Sequence, residues 1–270
     1  MLQTASETRS GTHGRFIWCE LMTSDTDAAG RFYASVLGWS LNAMPMGEGE
    51  VYHLFQIGEG DGCPGIGGMM ALPAELAGHV PPNWSGYVAV DDVDRTAREF
   101  QESGGTIHRQ PEDIPQVGRF AVVADPHGAV LDIMTPLPME DMPAAPPEGT
   151  PGTVGWRELY AAALEEASDF YGRIFGWTKD SDVDMGSMGY YRIFAEHGKP
   201  VGGMMKRPES VPAPCWVYYF NVESVEAAME RIRAGGGQVL NGPMEVPGGS
   251  WIAQCTDPQG AFFCIASMRK

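Results

Sequence analysis

The chain has 270 residues, of which 43% are hydrophobic and 20% charged, so it is long enough for two globular domains and is not composed like a disordered protein. Its 35 acidic and 18 basic residues give a net charge of −17, which argues against nucleic-acid binding because like charges repel a phosphate backbone. It contains neither a signal-peptide core nor a run of eighteen apolar residues, so we expect a cytoplasmic protein that does not bind membranes and whose five cysteines are reduced.

A strand, a helix and three further strands are predicted for residues 16–70. Residues 16–22 alternate between the two faces of a strand and are rich in aromatic and aliphatic side chains. Ser24 or Asp25 can cap the helix that follows, and Gly38 ends that helix. The three strands are expected near residues 39–45, 50–57 and 65–70.

The same order of elements is predicted again further along the chain. A strand over residues 85–90 leads into a helix whose apolar stripe includes Val93, Ala97 and Phe100. The pair Gly104-Gly105 closes this helix. Strands are expected near residues 106–110, 119–124 and 129–134, and the sequence Asp-Pro-His-Gly over 125–128 predicts the turn between the last two.

A proline-rich segment then separates two halves of the chain. Residues 135–153 hold six prolines and no basic residue, which is typical of an extended connector rather than a helix or strand. We therefore predict an N-terminal domain over residues 12–136, a linker over 137–152 and a C-terminal domain over 153–270.

The second half repeats the first. The shared residues, all offset by 138, are Trp18/Trp156, Glu20/Glu158, Leu21/Leu159, Phe32/Phe170, Tyr33/Tyr171, Gly38/Gly176 and Trp39/Trp177. Later matches are the sequence Gly-Gly-Met-Met at 67–70 and 202–205, and the Asp-Pro-x-Gly turns at 125–128 and 257–260. Matches in the same order over this length indicate a duplication. The predicted fold is therefore α+β, with four β-α-β-β-β units in two pairs.

This plan resembles the vicinal-oxygen-chelate superfamily of glyoxalases, bleomycin-resistance proteins and extradiol dioxygenases. The motifs that carry the resemblance are R-F-Y-x-x-V-L-G-W at 31–39, its copy D-F-Y-G-R-I-F-G-W at 169–177, and D-P-x-G-x-x-x-D at 125–132. In that family two units pair into a curved mixed sheet around a pocket that holds a small molecule. Its members perform different chemistries, so the fold alone does not settle the function.

The resemblance also implies where a divalent metal would bind, on the first and last strands of paired units. The first-strand positions here hold Trp18, Ser85, Trp156 and Val217, and the last-strand positions hold Asp132 and Cys264. At most one credible ligand remains in each half, where three or four are needed. We therefore predict no metal ligands and no cofactor, and a divalent metal is the disfavoured alternative.

The resemblance places one face of each first strand toward the pocket, and strand alternation selects the residues on that face. The predicted ligand-binding residues are Trp18, Met22, His53, Tyr87, Trp156, Glu158 and Tyr219, and the predicted catalytic residues are Glu20 and Asp132. The tryptophans and tyrosines can equally be core packing residues.

Two roles are open for Glu20 and Glu158. A carboxylate between apolar side chains is desolvated, which raises its pKa and suits a general base or acid. Alternatively, both glutamates hydrogen-bond backbone amides or an arginine such as Arg15, and so support the sheet. Their presence in both halves favours the structural role.

The leading hypothesis is a protein that binds a planar or aromatic small molecule without a metal, as a monomer with pseudo-dimeric halves or as a homodimer. The alternative is a glyoxalase-like lyase or isomerase in which Glu20 or Glu158 removes an acidic C–H proton. A dioxygenase is disfavoured because neither half contains two histidines and a carboxylate as a facial triad.

Overall fold

The computed structural model describes residues 9–47, 50–60, 62–138 and 143–270. The elements of the first half are β1 Phe16–Thr23, α1 Thr26–Leu37, β2 Trp39–Gly47, β3 Glu50–Ile57, β4 Gly65–Ala71, β5 Asn83–Ala89, α2 Val93–Glu102, β6 Thr106–Ile114, β7 Gly118–Ala124 and β8 Val130–Pro136. Those of the second half are β9 Val154–Ala161, α3 Leu164–Phe175, β10 Thr178–Asp184, β11 Tyr190–Glu196, β12 Lys199–Lys206, β13 Cys215–Asn221, α4 Val225–Ala234, β14 Gln238–Glu245, β15 Trp251–Thr256 and β16 Phe262–Ser267. The predicted α+β fold of four β-α-β-β-β units is confirmed.

The caps of the first helix follow the sequence signals. Asp25, not Ser24, caps α1, because its side chain accepts a hydrogen bond from the backbone N–H of Ala28 at 2.9 Å. Gly38 ends the helix at a φ of 75°, in the left-handed region that glycine adopts without strain. Gly176 ends α3 in the same way, at a φ of 79°.

The described strands form two mixed sheets of eight strands each. The order in the first sheet is β2-β3-β4-β1-β5-β8-β7-β6, and the second sheet repeats it as β10-β11-β12-β9-β13-β16-β15-β14. In the first sheet β5 pairs antiparallel with β1 and parallel with β8. Trp18 therefore lies opposite Tyr87, and Tyr87 lies opposite Asp132. This register places the central predicted site residues on one face of the sheet.

The two halves share one core. The largest buried cluster contains residues of both sheets and all four helices, and α1 packs on α4 while α2 packs on α3. Phe220 of the second sheet packs between Trp39 and Trp84 of the first half, with ring centroids 5.4 and 4.9 Å away. The helix-bearing faces of the sheets thus face each other, and the opposite face of each sheet points away from the shared core. Among the described helices, none has the length and apolar character needed to cross a membrane.

Reciprocal hydrogen bonds join the halves. The hydroxyl of Tyr33 donates to Asp257 Oδ2 at 3.1 Å, and the hydroxyl of Tyr171 donates to Asp125 Oδ2 at 3.2 Å. The two aspartates belong to the predicted Asp-Pro-x-Gly turns, which are confirmed as the connections between β7 and β8 and between β15 and β16. The repeated turn therefore also serves as a contact between the halves.

The repeated Gly-Gly pair is explained by close packing on both faces of the sheet. A Cβ atom at Gly202 would overlap the carbonyl oxygen of Arg157 and the ring of Phe194. A Cβ atom at Gly203 would overlap the ring of Tyr191 on the other face, and one at Gly68 would overlap Tyr52 in the same way. The glycines leave the space that these two tyrosines occupy.

We expect Gly202→Ala to reduce the free energy of unfolding by about 1–3 kcal/mol, because the added methyl group meets backbone that cannot move aside easily. Gly11→Ala is the control, since nothing lies within 4 Å of a Cβ at that position. Urea denaturation of both variants measures the difference. Equal stability of the two variants would contradict this explanation of the Gly-Gly pair.

Candidate functional site

The face of the N-terminal sheet that points away from the shared core (the N-terminal face) centres on the carboxylate of Glu20. The hydroxyl of Tyr87 donates to Glu20 Oε1 at 3.2 Å, and the hydroxyl of Tyr52 forms a second hydrogen bond to this carboxylate. The indole N–H of Trp18 donates to the Tyr52 hydroxyl at 2.9 Å. Burial raises the pKa of Glu20. The two tyrosine hydrogen bonds favour its charged form and offset part of this rise.

A second carboxyl group, that of Asp132, lies on the same face. It is 5% exposed, and its Oδ2 accepts a hydrogen bond from the Ser85 hydroxyl. The pKa of Asp132 is raised to about 8, mainly by burial and to a smaller extent by the Glu20 charge, while the Ser85 hydrogen bond and the Arg109 charge oppose the rise. Asp132 therefore carries a proton at neutral pH and can donate a hydrogen bond.

Aromatic side chains border the two carboxyl groups. Phe120 is buried beside Tyr87, with ring centroids 6.3 Å apart, and Met134 belongs to the same cluster. The guanidinium carbon of Arg109 lies over the Phe120 ring, 4.9 Å from its centroid. Trp18 is only partly buried against this cluster, so part of its ring is open to a ligand.

The second sheet repeats the hydrogen-bonded chain on its own outward face (the C-terminal face). The indole N–H of Trp156 donates to the Tyr191 hydroxyl at 2.7 Å, and Tyr191 donates to Glu158 Oε2 at 2.8 Å. The Tyr219 hydroxyl donates to Glu158 Oε1 at 3.2 Å. Burial again raises the pKa of the glutamate.

The two faces differ beyond this shared chain. The turn residues Asp125 and Asp257 are 132 positions apart, and this offset relates the later strands of the two halves. It matches Ser85 with Val217, Arg109 with Asn241, Phe120 with Ile252, and Asp132 with Cys264. Cys264 is fully buried, and burial raises the pKa of its thiol well above the ordinary value, so it is not a reactive thiolate. The C-terminal face therefore has one carboxyl group where the N-terminal face has two.

The predicted site residues lie on two separate faces, one on each sheet. The N-terminal face holds Trp18, Glu20, Met22, Tyr87 and Asp132, and the C-terminal face holds Trp156, Glu158 and Tyr219. Their roles in binding or catalysis stay predictions. Among the described residues, the partners of both glutamates are tyrosine hydroxyls, not the backbone amides or Arg15 that we expected as the structural alternative.

The expected position of His53 is wrong. Alternation along β3 puts His53 on the face of Phe55, which is fully buried in the shared core, so it points away from Glu20. Tyr52 takes the expected place and, like Tyr191, was missed by the sequence analysis. The repeat could have revealed both tyrosines, because Tyr52-His53-Leu54-Phe55 matches Tyr191-Arg192-Ile193-Phe194. Arg192, the counterpart of His53, pairs with Glu165 at the start of α3 on the helix-bearing side.

The donor set does not fit the divalent metal of the family. Within the described residues, no group of three or more His, Cys, Asp or Glu side chains is arranged to hold a metal ion. Glu20 and Asp132 are instead committed to tyrosine and serine hydroxyls. A Trp–Tyr–Glu chain thus occupies the part of each sheet where the resemblance implied ligands.

Side chains fill much of both outward faces. Two cavities, of about 170 and 110 Å³, lie elsewhere, one beside residues 146–149 and the other beside residues 13–14. On the N-terminal face, Trp18, Met22 and Tyr52 are half-buried. A ligand on this face would therefore contact these side chains and the exposed end of Arg109.

The family model and a curated relative both link the chain to glyoxalase-type proteins. Residues 15–133 and 153–265 each match the model of the glyoxalase/bleomycin resistance protein/dioxygenase superfamily. The chain is 32% identical over 262 residues to "Putative glyoxylase CFP32" of Mycobacterium tuberculosis, covering 96% of each chain. It is 29% identical over 279 residues to "Anthracycline biosynthesis protein DnrV" of Streptomyces peucetius, covering 94% of this chain and 93% of that one.

Solved structures share the fold at low sequence identity. The Mn(II)-bound glyoxalase from Novosphingobium aromaticivorans aligns at a TM-score of 0.61 and 16% identity, covering 97% of this chain and 84% of that one. The 2,3-dioxygenase LapB from Pseudomonas sp. KL28 aligns at a TM-score of 0.61 and 14% identity, and the alignment covers 93% of this chain and 91% of that one.

Proposed function

Because the chain belongs to the glyoxalase/bleomycin resistance protein/dioxygenase superfamily, we propose that it binds a small planar aromatic molecule on its N-terminal face without a metal ion. One observation carries this proposal. The N-terminal face holds a buried carboxyl group, Asp132, and a half-buried one, Glu20, beside tyrosine hydroxyls and a partly exposed tryptophan. Aromatic surfaces with a few fixed polar groups are typical of small-molecule sites.

The fold itself does not require the second carboxyl group. The C-terminal sheet forms the equivalent parallel pairing of β13 with β16 with Val217 and Cys264 at the positions of Ser85 and Asp132. A buried carboxyl group costs stability unless it is paired with a cation, and Asp132 is paired with a neutral hydroxyl. Its presence in only one half therefore supports a role in the function of that half.

The polar and aromatic groups of the N-terminal face indicate which class of ligand it can bind. At neutral pH Asp132 is protonated and offers a hydrogen-bond donor, while the Glu20 carboxylate and the Tyr87 hydroxyl oxygen offer acceptors, because the tyrosine hydroxyl protons are already donated to Glu20. Trp18 offers a partly exposed ring for stacking. An aromatic ligand is also in keeping with the relative named for anthracycline biosynthesis.

The duplication supplies a matched test of this site. We expect Glu20→Gln to weaken the binding of 2-naphthamide about tenfold, because the tyrosine hydrogen bonds around Glu20 rearrange when the carboxylate is lost. Glu158→Gln makes the same change on the C-terminal face and is expected to leave the affinity unchanged. Calorimetric titration of both variants measures this. Loss of binding in Glu158→Gln alone, or in neither variant, would contradict the proposed site.

A second candidate function is that of a lyase or isomerase. It is favoured by the raised pKa values of Glu20 and Asp132, because a carboxylate with a raised pKa is a stronger base and a neutral carboxyl group can return the proton. In this mechanism Glu20 removes a C–H proton beside a carbonyl group, and Asp132 donates to the carbonyl oxygen. Proton NMR of 2-hydroxyacetophenone in D2O tests it, with Glu20-dependent loss of the CH2 signal as the expected result.

We propose that the protein acts in the cytoplasm as a pseudo-dimeric monomer. Support comes from the shared core, in which the second sheet already covers the helix-bearing face of the first. Light scattering during gel filtration is expected to give a mass near the 29.2 kDa of one chain. A mass of two chains would favour the homodimer instead.

A further inference from the structure

Arg109 brings a positive charge to the aromatic part of the N-terminal face. Its guanidinium carbon lies 4.9 Å from the centroid of Phe120, a distance at which a cation interacts with a ring. Phe120 packs beside Tyr87, which donates to Glu20. The charge of Arg109 also favours the ionised forms of Glu20 and Asp132, so it is within electrostatic reach of both carboxyl groups.

The ion pair that Arg109 makes is one that a ligand can replace. Among the described residues its ion-pair partner is Glu112, three positions along β6. The two side chains are 51% and 46% exposed, and ion pairs in such positions contribute little stability because water and salt screen them. The guanidinium can therefore exchange Glu112 for an anionic group of a ligand that lies on the N-terminal face.

The C-terminal face has no such cation at the equivalent place. Asn241 stands where Arg109 stands in the first half, and its side chain is 3.5 Å from the side-chain oxygen of Gln254. Ile252 replaces the Phe120 ring. The cation and the ring beneath it are thus both specific to the face that also carries Asp132.

We propose that Arg109 binds the ionised acid group of the ligand, which makes the ligand an aromatic carboxylic acid. This inference rests on the proposed function of the N-terminal face and names its ligand class. The guanidinium is planar and can donate two parallel hydrogen bonds to a carboxylate. The aromatic part of the ligand then takes the place over Phe120 that the guanidinium leaves, and the protonated Asp132 does not repel the acid.

The test compares 2-naphthoic acid with its neutral amide, 2-naphthamide, by calorimetric titration at pH 6. The wild-type protein is expected to prefer the acid about ten- to a hundredfold, the range expected for hydrogen bonds to a charged group. Arg109→Gln is expected to abolish the preference while the affinity for the amide stays the same. Arg98→Gln removes the same charge from an exposed position on α2 and is the control that should retain the preference.

The outcomes separate this inference from the proposal on which it rests. Equal binding of acid and amide by the wild-type protein, or an unchanged preference in Arg109→Gln, would overturn the role of Arg109 alone. Binding of neither compound would overturn the proposed function, and the inference with it.

Discussion

Asp132→Asn is expected to stabilise the folded protein by roughly 6 kcal/mol at pH 9. The pKa of this carboxyl group rises from the ordinary 3.8 to about 8 on folding, and each pKa unit corresponds to 1.36 kcal/mol. Above pH 8 the folded protein contains a buried charge that the unfolded chain exposes to water. Asparagine removes this charge and keeps an oxygen that can accept from the Ser85 hydroxyl.

The sign of the pH dependence follows from the same difference. Between pH 4 and pH 8 the folded state holds a proton on Asp132 that the unfolded chain has released, so the contribution of Asp132 to stability falls as the pH rises. Below pH 4 both states are protonated, and the advantage of asparagine disappears. Urea denaturation from pH 4 to 9 measures this. Asp113→Asn, at a side chain that is 77% exposed, is the control, and identical pH profiles for all three proteins would contradict the burial of an uncompensated carboxyl group.

Phe220→Ala is expected to reduce the free energy of unfolding by about 3–5 kcal/mol, the range measured when buried phenylalanines are replaced by alanine. The ring is fully buried and packs against Trp39 and Trp84 of the first half and Phe263 of the second. Alanine leaves a cavity between the two sheets. Both halves should therefore lose stability together, in a single transition followed by tryptophan fluorescence and circular dichroism.

Leu240→Ala provides the comparison for Phe220→Ala, because Leu240 is 55% exposed and its replacement should change stability by less than about 0.5 kcal/mol. Two separate transitions in Phe220→Ala, with one half unaffected, would show that the halves fold independently. That result would contradict a core shared between the sheets.

Most of the fold could be predicted from the sequence, because local signals and the duplication agree. Asp25 and Gly38 mark the ends of α1, and alternation marks the face of β1 that carries Trp18 and Glu20. A monomer with pseudo-dimeric halves is predicted, but the residues that form the core between the halves could not be predicted. The pattern shows that Phe220 is apolar, but it does not show that the surface burying it belongs to the other half.

The site could be predicted only in part. Strand alternation selected Glu20 and the family resemblance selected Asp132, but the hydrogen-bond partners of both depend on the register between strands. Tyr52 could have been found from the repeat, because it matches Tyr191. Arg109 was missed because β6 is irregular in its pairing with β7, so a simple count along the strand does not locate it.

Binding of 2-naphthoic acid to chelator-treated protein tests the metal-independent site most directly. Elemental analysis first establishes that the protein is free of zinc, nickel, manganese and iron, and calorimetric titration is then performed with and without each added metal. The account predicts saturable binding with one molecule per chain and the same affinity under every condition. Binding that appears only when a metal is added would contradict it, and would mean that groups other than a conventional ligand set assemble a metal centre on this face.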